Sequence, residues 1–484
     1  MNEDGGARGA GPRHVLSTYI AITVFSLAGT RLAAIAIPWY VLTQTGSPTL
    51  TGLVAFAEMA PYVLAKAFSG PLIDRIGPIK VAVVADTASL LAIAAIPVLH
   101  GSGWLSFEAL LVLVAVVGVL RGPADGAKVT LIPIVSAAAG ASLERVSGAY
   151  GAVDRLAATV GAASGGVVIA LIGAASALWL TVGTLGFTAL ALTFVLGPKV
   201  AAVDLRGPDD GSDATPTSYL GQLREGWTFL RHDAVLVAIV GMLAVTNMLE
   251  QAFGVALVPV WALVTGGGPT AIGILFATSS AFSVAGSIVA AGLAERLPRR
   301  RIYVIAYLLV GLPRFGVLAI GAPFPVAVAV LAVGGFAAGF INPIIGAVIV
   351  ERIPGRLIGR VNTLAMSLAW ALLPFGGLVG GLLVTHLGLS SALWIIGGLY
   401  VVATMAPTVV PAWRGIDRAD TGVSRRAAPD ISGDTGGCAG GTAPRTSPTP
   451  GPHAGSSSAT GDARRGWSRG RGPRRGRRAP ERRR

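Results

Sequence analysis

A charge inside lipid is expensive, so a charged side chain within a long apolar run is a candidate working group. Glu250 stands in the middle of one such run beside Asn247 and Gln251, and Arg31 in the middle of another. A carboxylate so placed can accept a proton or a cationic ligand, and a guanidinium facing the same space would tune its proton affinity. Alternate protonation and pairing would then couple proton entry to ligand release. The plainer readings are a permanent ion pair, or Arg31 snorkelling toward a polar edge. Arg121 and Asp125 lie one helical turn apart with Lys128 beyond them, and they read first as a pair that neutralises itself. Asp86, Arg314 and the neighbours Asp154 and Arg155 read as packing or gating charges. The sequence offers no nucleophile–base pair, no metal-spaced Cys/His set and no Gly-x-x-x-x-Gly-Lys-Ser/Thr phosphate loop. Cys438 is the only cysteine. Enzyme chemistry, a cofactor, a bound metal and ATP-driven work are therefore not expected.

The elements that must hold these charges are lipid-crossing helices. The chain is 53% hydrophobic and 13% charged, against about 25% charged in soluble domains. A span needs about 20 apolar residues. Twelve runs qualify, near 14–42, 51–72, 81–100, 107–133, 147–171, 176–197, 233–261, 270–293, 302–321, 325–350, 361–386 and 391–411. Backbone groups in lipid must bond within their own segment, so these runs are helices and their Gly and Pro are local kinks. Connections 43–50, 101–106, 172–175, 262–269, 322–324 and 387–390 carry no Lys or Arg, whereas the alternate connections carry them throughout. The positive-inside bias therefore places both termini in the cytoplasm. Of the net charge of +14, ten units fall in residues 412–484, so the membrane part is close to neutral.

The chain repeats itself. Gly46-Ser47-Pro48-Thr49-Leu50-Thr51-Gly52 returns as Gly267-Gly268-Pro269-Thr270-Ala271-Ile272-Gly273. Pro38 aligns with Pro259, Pro123 with Pro343, and Arg145-Val146 with Arg360-Val361. Gly161, Gly165 and Gly166 align with Gly376, Gly380 and Gly381, and Ser176-Ala177-Leu178-Trp179 with Ser391-Ala392-Leu393-Trp394. The ordered series runs through six helices and returns, which gives two six-helix halves of like direction.

Between spans 2 and 3 lies a tight charged turn, Gly70-Pro71-Leu72-Ile73-Asp74-Arg75-Ile76-Gly77-Pro78-Ile79-Lys80. Gly70 is expected to let two helices approach closely and Gly77 to permit a sharp reversal. Asp74 can cap or pair near a helix end, while Arg75 and Lys80 hold the turn on the cytoplasmic side. An altered copy in the second half carries Glu295 and Arg296. This Gly-x-x-x-Asp-Arg-x-Gly-x-x-Lys turn resembles the signature loop of the major facilitator superfamily, with Pro78 and Ile79 where that family more often has basic residues.

The resemblance implies an all-α membrane fold of twelve helices in two pseudo-symmetric bundles, with spans 1 and 7 beside a central cavity. It puts Arg31 and Glu250 on the same water-filled space. Drug–proton antiporters of the superfamily often carry an Arg on span 4 with Gly four residues on; here Arg121 is followed by Asp125 and then Gly126. Gly161 to Gly166 resembles the Gly-Pro-x-x-Gly-Gly element of exporters, with Ala162 in place of the Pro. The implied role is close packing or hinging between spans 5 and 8. Pro38-Trp39, the Gly-Ser-Pro-Thr loop and Gly226-Trp227-Thr228-Phe229-Leu230 resemble the macrolide-efflux branch.

The expected organisation is a cytoplasmic tail (1–13), a first bundle (14–197), a linker with a short interfacial helix (198–232), a second bundle (233–411) and a disordered Arg-rich cytoplasmic tail (412–484). The expected function is secondary export of amphipathic small molecules across the bacterial inner membrane, by alternating access and proton antiport, with antibiotic resistance as a consequence. The partners are the small-molecule substrate, protons and the bilayer, with anionic lipid for the tail. No nucleic acid is expected, and the chain is expected to act as a monomer. A facilitator-type importer or symporter, or a polytopic protein that transports nothing, stays open as the alternative.

Overall fold

The computed structural model describes residues 12–200, 219–293, 298–354, 357–409 and 411. The linker segment 207–217, Glu295, Arg296, and the tail 412–484 therefore lie outside the described residues.

Among the described residues every regular element is a helix, and twelve stretches are long and apolar enough to cross a membrane. Spans 1 to 6 are His14–Thr45, Pro48–Phe68, Pro78–Gly101, Phe107–Ala139, Leu143–Ile172 and Ala174–Val200. Spans 7 to 12 are Ala234–Val264, Gly268–Leu293, Arg299–Ala319, Phe324–Ile349, Val361–Leu387 and Leu389–Val409. In the first half span 4 packs on spans 2 and 3, and span 1 on spans 5 and 6. In the second half span 10 packs on spans 8 and 9, and span 7 on spans 11 and 12. The halves meet through two helix pairs, span 5 on span 8 and span 2 on span 11.

Interior prolines shape several spans. Proline lacks an N–H and crowds the carbonyl four residues back, and a helix relieves this by widening or breaking. Span 7 widens to a π turn at Phe253–Leu257 just before Pro259, and span 6 does so at Ala191–Leu196 before Pro198. Span 9 breaks at Gly311, two residues before Pro313. Span 11 breaks between Ile358–Trp370 and Phe375–Leu387, with Pro374 at the second start. Span 5 runs unbroken as one helix, in keeping with Ala162 where a Pro would kink it.

The charged turn folds as a short helix, Gly70–Ile76, and Gly77 follows at φ 93°, a left-handed value that suits glycine. Ile73 anchors the turn in an apolar cluster with Val81, Leu131 and Leu192. Two expectations fail here. A Cβ added at Gly70 would meet open space, so Gly70 serves no close helix approach. Asp74 caps nothing, because the residue before span 3 is Gly77 and makes no side-chain cap. Asp74, Arg75 and Lys80 are exposed.

Helix Tyr219–His232 precedes span 7 and packs on the first part of span 11. Leu230 is buried in the second half's core, while Trp227, Arg224 and Arg231 are exposed.

Candidate functional site: a central cavity and its charge network

A cavity of about 680 Å³ lies between the halves. Spans 1, 2, 4 and 5 supply Arg31, Glu58, Tyr62, Arg121 and Asp154 to its wall, and the other half supplies Gln251 and Trp370. Span 2 turns one face toward it. Glu58, Tyr62 and Lys66 follow at four-residue spacing, which stacks them one above another on a helix.

Arg121 is shared. Its guanidinium stands 3.4 Å from a Glu58 oxygen and 4.0 Å from Asp125. Both members of the first pair are almost wholly buried, with side chains 10% and 8% exposed. The Tyr62 hydroxyl donates to Asp125 at 3.1 Å, and Lys66 Nζ donates to the Tyr62 oxygen at 3.2 Å. Lys66 Nζ also lies 4.5 Å from the centre of the Trp370 ring, which stacks on Tyr62. A buried carboxylate is thus joined through four side chains to an aromatic ring of the opposite half. Deeper in the first half, Lys128 bonds Asp86 at 2.8 Å and Ser26 at 2.7 Å. Arg31 pairs with Asp154 at 3.0 Å across spans 1 and 5. Arg155 is exposed and takes no part in that pair.

Glu250 does not share this space. It receives two bonds from Arg314, at 3.0 and 2.5 Å. The Arg314 guanidinium is flanked by the rings of Phe253, Phe315 and Tyr400, each 4.7 to 4.8 Å away. Glu250 and Asn247 line a second cavity of about 400 Å³ inside the second half, whereas Gln251 faces the first. The expected partnership of Arg31 with Glu250 is therefore replaced by two separate pairs. Residues three and four positions from one another share a helix face, but Gln251 is one step from Glu250 and turns toward the other cavity. Asn247 also donates to the Ala369 carbonyl at 2.9 Å, tying span 7 to span 11.

The packing glycines divide by neighbour. A methyl at Gly166 would lie 2.5 Å from the Pro269 carbonyl oxygen, so Gly166 packs span 5 against span 8. Gly161 and Gly165 instead face Arg31 and Leu32 of span 1. Gly376 and Gly380 face Met248 and Ala252 of span 7, and Gly381 faces Pro48 of span 2. Gly52 touches the backbone of Gly377, and the Thr49 and Thr385 hydroxyls bond at 2.8 Å. These close cross-half contacts gather at the end that carries connections 1–2, 5–6, 7–8 and 11–12.

Sequence reasoning passes over Glu58, Tyr62, Lys66 and Trp370. The rule that selects Arg31, a charge within an apolar run, applies equally to Glu58 and Lys66 in span 2. Trp370 carries no such mark in the sequence, because its role depends on a partner in the other half.

Two like-built sets of six helices around a charged, partly aromatic cavity define a membrane transporter that moves a small solute between the halves. The Major Facilitator Superfamily model matches residues 19–261 and 242–469, and the chain belongs to that family. It is similar to the multidrug efflux pump Tap of Mycobacterium tuberculosis, at 32% identity over 402 residues, 82% of this chain and 93% of that protein. Tap of Mycolicibacterium fortuitum is 29% identical over 399 residues, 81% and 94% of the two chains. Among solved structures, the nucleoside transporter NupG aligns at a TM-score of 0.61 and 14% identity, over 81% of this chain and 98% of that one. A D-xylose–proton symporter aligns at 0.59 and 16% identity, over 83% and 98%. The last two likenesses concern the fold alone.

Proposed function

We propose that the chain exports amphipathic small molecules, antibiotics among them, from a bacterial cell by alternating access coupled to proton antiport. The observation that carries this reading is the central cavity, where aromatic and apolar surface faces the Glu58–Arg121–Asp125 chain. Likeness to proteins named as multidrug efflux pumps supports export as the direction. The working parts are the bundles 14–197 and 233–411, joined by linker 198–232, in one monomer in the inner (plasma) membrane. Tails 1–13 and 412–484 lie on the cytoplasmic side, the latter near anionic lipid. Arg75 and Arg352 sit on connections of one side, with Lys80, Arg299 and Arg300 in the first turn of spans at that side, which supports that orientation. On this placement the glycine contacts close the outer end, and the cavity takes its load from the cytoplasm.

Coupling follows from the sharing of Arg121. A proton on Glu58 removes one of its two carboxylate partners and leaves the guanidinium to Asp125. Asp125 then holds Tyr62 less firmly, and Tyr62 with Lys66 bears on Trp370 of the other half. Solute and proton thus compete for one set of side chains.

The test is a susceptibility panel in a host stripped of its own pumps, paired with solute uptake into inside-out vesicles under an imposed pH gradient. The wild-type chain should raise resistance and drive uptake, and Glu58→Gln at equal expression should lose both. A Glu58→Gln chain with full resistance would overturn Glu58 as the proton site. Uptake indifferent to the pH gradient would overturn antiport.

A further inference from the structure

The repeat explains why a cavity opens beside Glu250. Gly118 packs on the Glu58 backbone, and Gly335 packs on that of Ser279. Gly122 packs at Tyr62 and Lys66, and Gly339 at Ser283 and Ser287. The helix pair 8–10 therefore repeats the pair 2–4, with serines where the first half has Glu58, Tyr62 and Lys66. This register differs from the one that aligns Pro123 with Pro343. Three large polar side chains are replaced by three small ones, and a hollow of about 400 Å³ is left among spans 7, 8, 9, 10 and 12.

The hollow is lined with hydrogen-bonding groups that the protein leaves free. Ser287 shows the usual habit of a helical serine, donating to Ser283 O at 2.9 Å and Gly339 O at 3.1 Å. The hydroxyls of Ser279, Ser280 and Ser283 and the amide of Asn342 have no such bond among the described residues, and all four line the cavity. Arg314 Nε is buried without a partner. Glu250 is 40% exposed, and a carboxylate that accepts two bonds from one Arg keeps lone pairs for further donors. The Glu250–Arg314 pair is neutral as a unit, so the site favours no net charge. Phe276 and Ser280 line both this hollow and the central cavity, so the two spaces adjoin.

We propose that this hollow is a second subsite, which takes an uncharged, multiply hydroxylated or amide-bearing arm of a transported molecule while the apolar body stays in the central cavity. The inference deepens the export reading and rests on it for the occupant. Glu250 accepts from the arm, Ser279, Ser280, Ser283 and Asn342 exchange hydrogen bonds with it, and Phe276 marks the passage.

The test uses the full chain in lipid nanodiscs with two fluorescent probes of one apolar body. One is a dansyl sulfonamide of N-methylglucamine, whose arm is a neutral polyol. The other carries a trimethylammonium arm with no hydrogen-bond donor. The wild-type chain should bind the polyol probe more tightly than the cation. Ser279→Ala/Ser283→Ala keeps the ion pair and should weaken the polyol probe about tenfold, the size expected for two neutral hydrogen bonds, with the cation probe unmoved. Glu250→Gln should act in the same sense. A cation probe that binds as tightly as the polyol, equal losses for both probes, or no binding of either overturns the subsite. The same probes in inside-out vesicles separate the two readings. Selective binding without uptake supports the subsite and counts against export, whereas uptake untouched by the serine variant sustains export and sinks the subsite.

Discussion

The two halves are built on one helical plan and filled in opposite ways. In the first, spans 2 and 4 close over Glu58, Arg121, Asp125 and Lys66, a connected run of charge on the wall of the central cavity. In the second, spans 8 and 10 close over serines, and one neutral Glu250–Arg314 unit stands at the edge of a hollow. Span 8 carries the small residues, and glycines on span 10 repeat the contacts that glycines make on span 4. One scaffold thus supports a connected set of charges in one copy and an open space in the other. The duplicated helices fix where side chains stand, and single substitutions decide whether a place holds a charge or a guest.

The comparison can be broken at several points. The largest effect should come from tying the halves together. Thr49→Cys/Thr385→Cys on a Cys438→Ser background replaces a 2.8 Å hydroxyl contact with a disulfide. Oxidation should stop vesicle uptake and reduction restore it; uptake that survives quantitative cross-linking would mean the halves do not part at that end. Next come the two arginines. Arg121→Met strips two carboxylates of their cation, and removing one partner of a buried pair costs about 3–5 kcal/mol. Arg314→Met should cost less, because Glu250 is 40% exposed and can be hydrated. Unfolding midpoints in detergent rank the two, and equal losses would erase the proposed contrast. Smaller again is Ser283→Tyr, which gives the second half the residue that stands at Tyr62. Overpacking a filled core costs about 1–3 kcal/mol, and here the loss should fall below that range, since the hollow receives the ring. A full overpacking loss in the same melting assay would show the space to be smaller than drawn.

The smallest effect concerns Glu351, just beyond span 10. Two bonds from Arg299, at 2.7 and 2.9 Å, hold its carboxyl below the usual glutamate range. A carboxylate depressed in the fold contributes above its unfolded pKa, and that contribution fades as pH falls through the folded value. Glu351→Gln should therefore lower the midpoint slightly at neutral pH, and the gap should close in acid. A gap that widens on acidification would remove Arg299 as the cause.

Much of the fold was legible because lipid leaves so few options. Apolar runs had to be helices, loop arginines gave a direction, and repeated Gly and Pro gave the duplication. Arg31, Arg121 and Gln251, singled out from the sequence, line the central space. Their partners were not legible. Asp154 lies far from Arg31 in the chain, and Arg314 far from Glu250, so only the bundle brings each pair together. Glu58 was missed although it breaks the apolar run of span 2 as plainly as Arg31 breaks that of span 1. The hollow was missed because its mark is the absence of bulk at Ser279 and Ser283, which in sequence resembles any small-residue helix face. Matching Pro123 to Pro343 misled the register, since kinks recur for local reasons while interlocking glycines record which turns face each other.

Every ion pair named above stays within one half. Where the halves touch at the glycines, methylene meets carbonyl, and the Thr49 hydroxyl bonds the Thr385 hydroxyl and the Gly381 carbonyl across the join. A clasp of that kind unfastens without stripping any charge of its counter-ion. In the proposed alternating access the two shapes can then lie within a few kcal/mol of each other, and a cargo molecule that binds one of them better than the other tips the balance.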